Sequence, residues 1–381
     1  MYDPVRCLRV GFVTGFVAIV ASACASEAGT DARNATAAHV DSARLAAIAR
    51  EADTLRRHFG VPGASLVIVA DGRVVLSQGF GFRDVAARVP VTPQTRFVIG
   101  SCTKPFTALA AAISADQGLL ALDDSPHRFL PYFHLRDPVA DGQVTLRDLL
   151  SHRTGVPDDL GGGWFERYGT RENLIKAAMD RPAVGGFRAS FNYNNYMFLA
   201  AGEALANANH ATYEDVVRRD ILEPLGMRSS GLSLADMESS GDFALGYEDS
   251  ARTVVRPTRL FYNVAIAPAA NINSTADDMG QWLRMLVSGG SVDGRPIVSE
   301  KSLRELLAPA VKTAGGHYAL GWFVESWHGL TLYSHPGGVQ GYGTRCEFLP
   351  DQRLGWVVLT NVDDQGLPKA IRESIYSHLF Q

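Results

Sequence analysis

The stretch that decides the fold runs from Thr95 to Gln117 and reads TRFVIGSCTKPFTALAAAISADQ. Its first six residues end in an apolar run and predict an extended segment. Apolar residues at helical spacing then predict a helix over Pro105–Gln117. Ser101 and Lys104 lie three residues apart at the junction. Because residues three apart on a helix share a face, we expect the hydroxyl and the amine to touch.

A serine–lysine pair at this spacing has a chemical and a structural interpretation. A serine hydroxyl is a poor nucleophile until a base takes its proton, and a desolvated lysine with a lowered pKa is one such base. In the structural interpretation, Ser101 is a helix N-cap and Pro105 is tolerated in the first turn. The tetrapeptide alone favours the helix cap, so the rest of the chain has to decide.

Composition restricts the class of protein. The chain has 381 residues, 46% hydrophobic and 20% charged, with a net charge of −4. These values predict a globular protein with one large domain or two packed lobes, and they predict no nucleic-acid partner. The ten histidines are scattered without a metal-ligand motif, so no metal and no cofactor are expected.

The N-terminus has the pattern of an export signal. Arg6 and Arg9 precede the apolar run Val10–Ala21, which is short for a transmembrane helix. We predict a signal peptide over residues 1–24 and a flexible tether over 25–40. Cys24 lies where a bacterial lipoprotein is lipidated, so we expect a periplasmic protein anchored to the membrane through Cys24. Plain secretion is the alternative.

Two cysteines remain in the predicted mature chain, Cys102 and Cys346. Export to an oxidising compartment permits a disulfide between them. Two buried free thiols are the alternative, and the sequence does not fix the distance that a disulfide needs.

Strand signals concentrate at the two ends of the domain predicted over residues 41–381. We predict an α+β fold in which 41–118 and 258–381 build one antiparallel sheet flanked by helices, and 119–257 forms an inserted all-helical lobe. The main predicted helices are Ser42–His58, Thr145–Leu150, Glu172–Asp180, Asn195–Ala208, Tyr213–Leu222 and Leu367–Phe380. A hairpin is predicted at Asp71-Gly72, and the late strands are Tyr318–Val324, Leu330–Ser334, Thr344–Leu349 and Leu354–Thr360.

Two further motifs contain residues with catalytic chemistry. Tyr193-Asn194-Asn195 precedes a helical run. A tyrosine near a lysine is able to exist partly as phenolate and relay protons, and the Asn195 amide offers a donor and an acceptor. His335-Pro336-Gly337-Gly338 follows a predicted strand, where glycines admit a substrate backbone and an N–H group serves as an oxyanion donor.

In this order and context, the three motifs resemble those of the serine β-lactamase and penicillin-binding-protein superfamily. The most similar branch holds class C β-lactamases, D-Ala-D-Ala carboxypeptidases and β-lactamase-like esterases, and the resemblance covers about Val61 to Asn361. It implies that Ser101 is the acylated nucleophile and Lys104 its proton acceptor. Tyr193 would be the general base and acid, and Asn195 would position the lysine and the substrate.

The resemblance further implies that His335 occupies the first position of the third motif. The N–H groups of Ser101 and Gly338 would form the oxyanion hole beside Gly337. Class C β-lactamases typically have Lys-Thr-Gly at this motif, where this chain has His335-Pro336-Gly337. An unperturbed histidine is mostly neutral at pH 7, so the attraction for a substrate carboxylate is weaker.

The substitution favours an esterase, amidase or peptidase over an efficient β-lactamase. Together with the export signal, it predicts an exported serine hydrolase acting on an ester or amide of a small-molecule or peptide substrate. A D-alanyl-D-alanine carboxypeptidase or a class C-like β-lactamase is the alternative. A catalytically idle penicillin-binding or sensor protein is a third reading, which the filled catalytic positions disfavour. An α/β-hydrolase is excluded because no G-x-S-x-G pentapeptide occurs.

Overall fold

The computed structural model describes residues 37–160, 168–250, 254–258 and 263–381. The predicted signal peptide, Cys24 and most of the predicted tether lie outside these residues. The last tether residues are packed against the domain. Ala38 and Val40 lie against a hydrophobic cluster, and the His39 N–H donates to the Leu379 carbonyl at 2.8 Å.

Within the described residues, an antiparallel sheet of nine strands forms the centre of the fold. Its spatial order is β10-β11-β12-β13-β14-β15-β1-β2-β3, so strands from both ends of the chain meet at the β15–β1 pair. The strands are β1 Gly63–Ala70, β2 Arg73–Asp84, β3 Val89–Pro90, β10 Val311–Thr313, β11 Gly316–Tyr318, β12 Phe323–Trp327, β13 Leu330–Val339, β14 Tyr342–Leu349 and β15 Leu354–Thr360. The predicted α+β fold is confirmed.

Three two-stranded pairs accompany the sheet in the described part of the chain. They join β4 Phe97–Val98 to β7 Asn273–Ser274, β5 Tyr247–Ser250 to β6 Val254–Pro257, and β8 Ser291–Val292 to β9 Arg295–Pro296. The α-helices are Ser42–His58, Lys104–Asp116, Pro138–Asp141, Leu146–Leu150, Arg171–Met179, Asn195–Ala208, Tyr213–Val217, Glu223–Leu225, Leu234–Ser239, Ala267–Ala270, Ala276–Val287, Glu300–Leu307 and Gly366–Phe380. Helices of the 3₁₀ type cover Gly100–Thr103, Pro126–Arg128 and Val264–Ile266.

The sheet separates two hydrophobic cores. Alternate side chains of a strand point to opposite faces, so Val67 and Val69 of β1 enter one core while Leu66 and Ile68 enter the other. The larger core includes the helices of the middle lobe, and the smaller one lies beneath the first and last helices. β1 is buried along its whole length because helices cover both of its faces.

The stretch Thr95–Gln117 becomes a short strand, a 3₁₀ turn and a buried helix. Strand β4 pairs with β7, and the Ile99 N–H donates to the Ile272 carbonyl at 2.9 Å. The turn Gly100–Thr103 leads directly into the helix Lys104–Asp116, which is buried on nearly every face. Phe106 stacks on Trp282 with ring centroids 3.8 Å apart, which fixes the helix against the helix Ala276–Val287.

Some predicted elements differ from the structure. The single strand Tyr318–Val324 is wrong: β11 ends at Tyr318 and β12 begins at Phe323. Gly321, with φ of +81°, lies in the turn between them. The helix over Tyr213–Leu222 is α-helical to Val217 and continues as one π turn. The lobe predicted as all-helical contains the β5–β6 hairpin. No helix in the described ranges has the length and apolarity to cross a membrane.

At Gly337, the backbone of β13 lies very close to the backbone of Ile99 and of the 3₁₀ turn that follows it. A Cβ atom at this position would lie 2.0 Å from the Ile99 carbonyl oxygen and 3.1 Å from the Cys102 nitrogen. Both are backbone atoms, so neither can rotate away. The strand and the turn are therefore in contact only because residue 337 has no side chain.

We expect Gly337→Ala to lower the free energy of unfolding by about 1–3 kcal/mol, the usual cost of overpacking. Guanidinium unfolding followed by fluorescence measures the loss. Gly142→Ala is the matched control, because its Cβ would lie 3.5 Å from the nearest atom and its φ is −71°. Equal stability of the two variants would contradict the close approach at Gly337.

Candidate active site

The predicted serine–lysine pair is in contact. Lys104 Nζ lies 3.0 Å from Ser101 Oγ. Ser101 belongs to the 3₁₀ turn and Lys104 begins the following helix, so one continuous helical surface carries both side chains. The serine is partly exposed, whereas the lysine side chain is completely buried.

The Lys104 amine has three partners. Besides Ser101 Oγ, Nζ lies 2.6 Å from Asn195 Oδ1 and 3.1 Å from the Ala269 carbonyl oxygen. Burial lowers the pKa of Lys104 to about 7, although the negative charge of Asp158 acts in the opposite direction. A neutral amine has two N–H donors and one lone pair. Since Asn195 and Ala269 both accept, the lone pair faces the Ser101 hydroxyl.

Asn195 is held in one orientation by Asp158. The Asn195 backbone N–H and side-chain Nδ2 each donate to an Asp158 carboxylate oxygen at 2.7 Å. Because Nδ2 is bound to the carboxylate, Oδ1 faces Lys104. Burial among protein atoms raises the pKa of Asp158, while the Asn195 donors and Lys104 lower it. Asp158 therefore connects a charge at the pocket rim to the buried amine.

Tyr193 completes the polar group around Ser101. Its side chain is half-buried and hydrogen-bonds to Ser101, and its ring centroid lies 4.7 Å from Lys104 Nζ. Burial raises the pKa of Tyr193 well above its ordinary value. This direction favours the neutral phenol, which is a proton donor, over the partial phenolate that the motif also allows.

His335 lies behind this group and does not line the cavity that opens at Ser101. Its side chain is completely buried, with Nδ1 2.7 Å from the Pro336 carbonyl oxygen and Nε2 3.1 Å from the Tyr318 hydroxyl. Nδ1 therefore donates and Nε2 accepts. Burial, with repulsion from Lys104, lowers the pKa of His335 to about 3. The neutral ring supports Tyr193, whose centroid is 6.2 Å away.

Gly337 and Gly338 lie on the half of β13 that faces the serine. Strand β12 pairs only with Leu330–Ser334, while β14 pairs with Tyr333–Val339. Beyond Ser334, the edge of β13 that faces away from β14 therefore has no partner strand in the described residues. A Cβ at Gly100 would lie 2.9 Å from the Gly338 nitrogen, so this edge runs directly beside the Ser101 turn.

A cavity of about 250 Å³ opens at Ser101. Its floor is mostly apolar, and Asp158 is the only charged side chain in the described lining. The lining residues are Ser101, Asp158, Asn195, Tyr196, Ile266, Ala269, Ala270, Gly338 and Val339.

The structure brings together all the predicted site residues of the three motifs, and it adds contacts that sequence reasoning missed. Asp158 belongs to none of the three motifs, and Ala269 carried no signal because it contributes a backbone carbonyl. His152 also lies outside the three motifs. It is buried, with its ring centroid 4.3 Å from that of Tyr193 and its Nδ1 accepting the Asn194 N–H at 3.0 Å.

Cys102 and Cys346 are buried free thiols, so the disulfide alternative is not realised in the structure. The Cys102 Sγ donates to the His335 carbonyl at 3.0 Å, and burial raises its pKa to about 12. Burial likewise raises the pKa of Cys346 well above its ordinary value. Both therefore stay protonated, and Cys102 links the turn to β13.

An antiparallel sheet made from both chain ends, a helical lobe and a serine at the start of a buried helix define the β-lactamase and transpeptidase fold. A family profile described as Beta-lactamase matches residues 48–376. The chain belongs to this beta-lactamase family.

One similar protein of known sequence is Protein flp of Staphylococcus aureus (strain COL). It is 26% identical over 313 residues, which are 82% of this chain and 62% of the relative. This chain therefore spans less than two thirds of the length of that relative.

Two solved structures are similar. The octameric penicillin-binding protein homologue from Pyrococcus abyssi has a TM-score of 0.77 and 29% identity, covering 89% of this chain and 76% of its own. EstCE1, a hydrolase with promiscuous acyltransferase activity, has a TM-score of 0.76 and 22% identity, covering 88% and 99%. The second likeness concerns the fold alone.

We expect Asp158→Asn to shift the pH dependence of kcat/KM. The carboxylate charge raises the pKa of Lys104. Its removal therefore lowers that pKa, and the acidic limb of the profile moves from near pH 7 to lower pH. Loss of the acceptor for Asn195 also lowers the plateau by about 10- to 100-fold, as for other misplaced catalytic groups.

Asp159→Asn is the control for this shift, because Asp159 is not among the charges that change the pKa of Lys104. Its acidic limb should stay near pH 7. An unchanged limb in Asp158→Asn, with a reduced plateau, would contradict the electrostatic link and leave only a structural role for Asp158.

Proposed function

We propose that this chain is an exported serine hydrolase that acts on an ester or amide carbonyl through an acyl-enzyme at Ser101. The observation that carries the proposal is the fully buried Lys104 amine, 3.0 Å from Ser101 Oγ. A neutral amine at this distance is a base for the serine hydroxyl. Membership of the beta-lactamase family supports the same chemistry.

In the first step, the Ser101 proton moves to the Lys104 lone pair while Oγ attacks the substrate carbonyl. The new ammonium keeps three acceptors, since Asn195, Ala269 and the serine oxygen surround it. The N–H groups of Ser101 and Gly338 are proposed to stabilise the oxyanion.

The leaving group then needs a proton. Tyr193 is a neutral phenol that hydrogen-bonds to Ser101, so it donates that proton and regains one from the Lys104 ammonium. A serine ester remains and the leaving group departs. Water, or another hydroxyl acceptor, resolves the ester by the reverse sequence of proton transfers.

The surroundings of the pocket favour esters without a carboxylate. His335 is neutral and buried with both ring nitrogens bonded, so it offers no charge to a substrate anion. Pro336 has no hydroxyl. Asp158 lines the pocket, and the Asp363 Oδ1 lies 2.6 Å from where a Cβ of Gly338 would stand. Both carboxylates repel an anionic substrate.

We expect Ser101→Ala to abolish ester hydrolysis, with kcat falling by about a thousandfold or more. A fluorophosphonate probe should label the wild type at Ser101 only, as measured by mass spectrometry of the labelled peptide. Ser229→Ala, which removes a serine outside the pocket lining, is the control and should keep its activity. Label on a different serine, or turnover by Ser101→Ala, would contradict the assignment of Ser101 as the nucleophile.

We expect kcat/KM for p-nitrophenyl butyrate to exceed that for nitrocefin by about tenfold or more, equivalent to roughly 1.4 kcal/mol of transition-state discrimination. A panel of D-Ala-D-Ala peptides tests the carboxypeptidase alternative. A strong nitrocefin preference would favour a class C-like β-lactamase. Correctly folded protein without turnover of any substrate would favour the idle penicillin-binding alternative.

We also propose that the protein is periplasmic and anchored through a lipidated Cys24. The support is the basic start, the apolar run and the position of the cysteine. Expression with the leader in a bacterial host should place the wild type in the membrane fraction, with a diacylglyceryl mass on the N-terminal peptide. Cys24→Ser should be soluble. An unmodified mature N-terminus in the wild type would contradict the anchor.

A further inference from the structure

Two histidines and an aspartate converge on the surface of the middle lobe. His127 Nε2 lies 3.2 Å from Asp141 Oδ1, and His134 Nδ1 lies 3.3 Å from Asp141 Oδ2. One ligand atom from each residue lies within 4.8 Å of the other two. The spacing of these residues along the chain matches no metal motif, so the sequence alone predicts no metal here.

We propose that His127, His134 and Asp141 form a zinc site with three protein ligands and water as the fourth. Two imidazoles and a carboxylate are a donor set that suits Zn²⁺. Zinc bonds of about 2.0–2.2 Å in a tetrahedron place ligand atoms about 3.3 Å apart. The separations of 3.2 and 3.3 Å are close to this value, but they run to the two different carboxylate oxygens of Asp141, so one ligand must turn to complete a tetrahedron.

The three ligands are attached to ordered backbone. His127 lies in the 3₁₀ turn Pro126–Arg128, next to the buried Pro126, and its ring packs edge-on against Phe133 at 5.9 Å. Asp141 ends the helix Pro138–Asp141, where its Oδ1 also accepts the Leu135 N–H at 2.7 Å. This hydrogen bond fixes the orientation of the carboxylate, as an outer-shell partner does in metal sites.

His134 is the adjustable ligand. Its side chain is 65% exposed, and its ring centroid lies 5.0 Å from that of His127. Rotation of this exposed ring brings Nδ1 toward His127 without disturbing the core. The zinc ion would then link the 3₁₀ turn that carries His127, the loop that carries His134 and the short helix that ends at Asp141. None of these residues lines the cavity at Ser101, so the proposed zinc site is separate from the proposed site of hydrolysis.

Other histidine–carboxylate pairs on the described surface have only two members. His378 Nε2 lies 2.8 Å from Glu51 Oε2, and His328 Nε2 lies 2.8 Å from Glu373 Oε2. Two ligands bind zinc weakly, so these pairs provide an internal standard for non-specific binding. His378→Ala is accordingly a matched control for His134→Ala.

The test measures Zn²⁺ binding by isothermal titration calorimetry on the mature chain, with the melting temperature as a second readout. The wild type should bind one Zn²⁺ per chain and melt at a higher temperature with Zn²⁺, whereas Mg²⁺ should have no effect. His134→Ala should bind at least about tenfold more weakly, since even outer-shell changes cost that much. His378→Ala should bind like the wild type.

Because His134 is exposed, its alanine variant should fold, and circular dichroism in the presence of EDTA checks this. His127→Ala is the second variant and should lose binding equally. Absence of saturable binding in the wild type would overturn the proposal, as would equal binding by the wild type and both His127→Ala and His134→Ala.

Discussion

The Lys104 amine is the constraint on which the rest of the site depends, because an amine with no access to water must have every polar contact supplied by protein. Its acceptors come from distant parts of the chain. Asn195 begins a helix of the middle lobe, and Ala269 lies just before the strand β7 that pairs with β4. The fold therefore has to bring both lobes together before the lysine can be buried. Stability and the proposed catalysis share this requirement.

The groups around Ser101 differ in charge state because they differ in burial. Tyr193 and His335 are neutral, one as a donor and the other with both nitrogens bonded, so they define directions for proton movement without adding charge. Asp158 is the exception, at the exposed rim. Its negative charge raises the pKa of the Lys104 amine, and its carboxylate also orients the Asn195 side chain that contacts this amine.

Local patterns predicted much of this structure, and long-range contacts account for most of what they missed. The helix Asn195–Ala208 and the strand Leu354–Thr360 have the predicted bounds, because apolar periodicity is a local property. The Ser101–Lys104 contact followed from helical spacing. Asp158 meets Asn195 across a 37-residue separation, which no local pattern encodes. The raised pKa of Tyr193 could not be read from the motif, because burial is a property of the fold. The His127, His134 and Asp141 cluster was missed because its members meet only when the turn, the loop and the short helix that carry them are folded.

The division of the hydrophobic interior by a single sheet has a consequence for how this molecule can change. Leu66 and Ile68 contact one core, whereas Val67 and Val69 contact the other, so neighbouring residues of one strand pack against different sets of side chains. A substitution in the core beneath the first and last helices changes packing on the face of the sheet opposite Ser101. The loops of the middle lobe around Ser101 can then change in sequence while the core beneath the first and last helices stays the same. Such a partition allows one scaffold to acquire new specificities by successive small replacements.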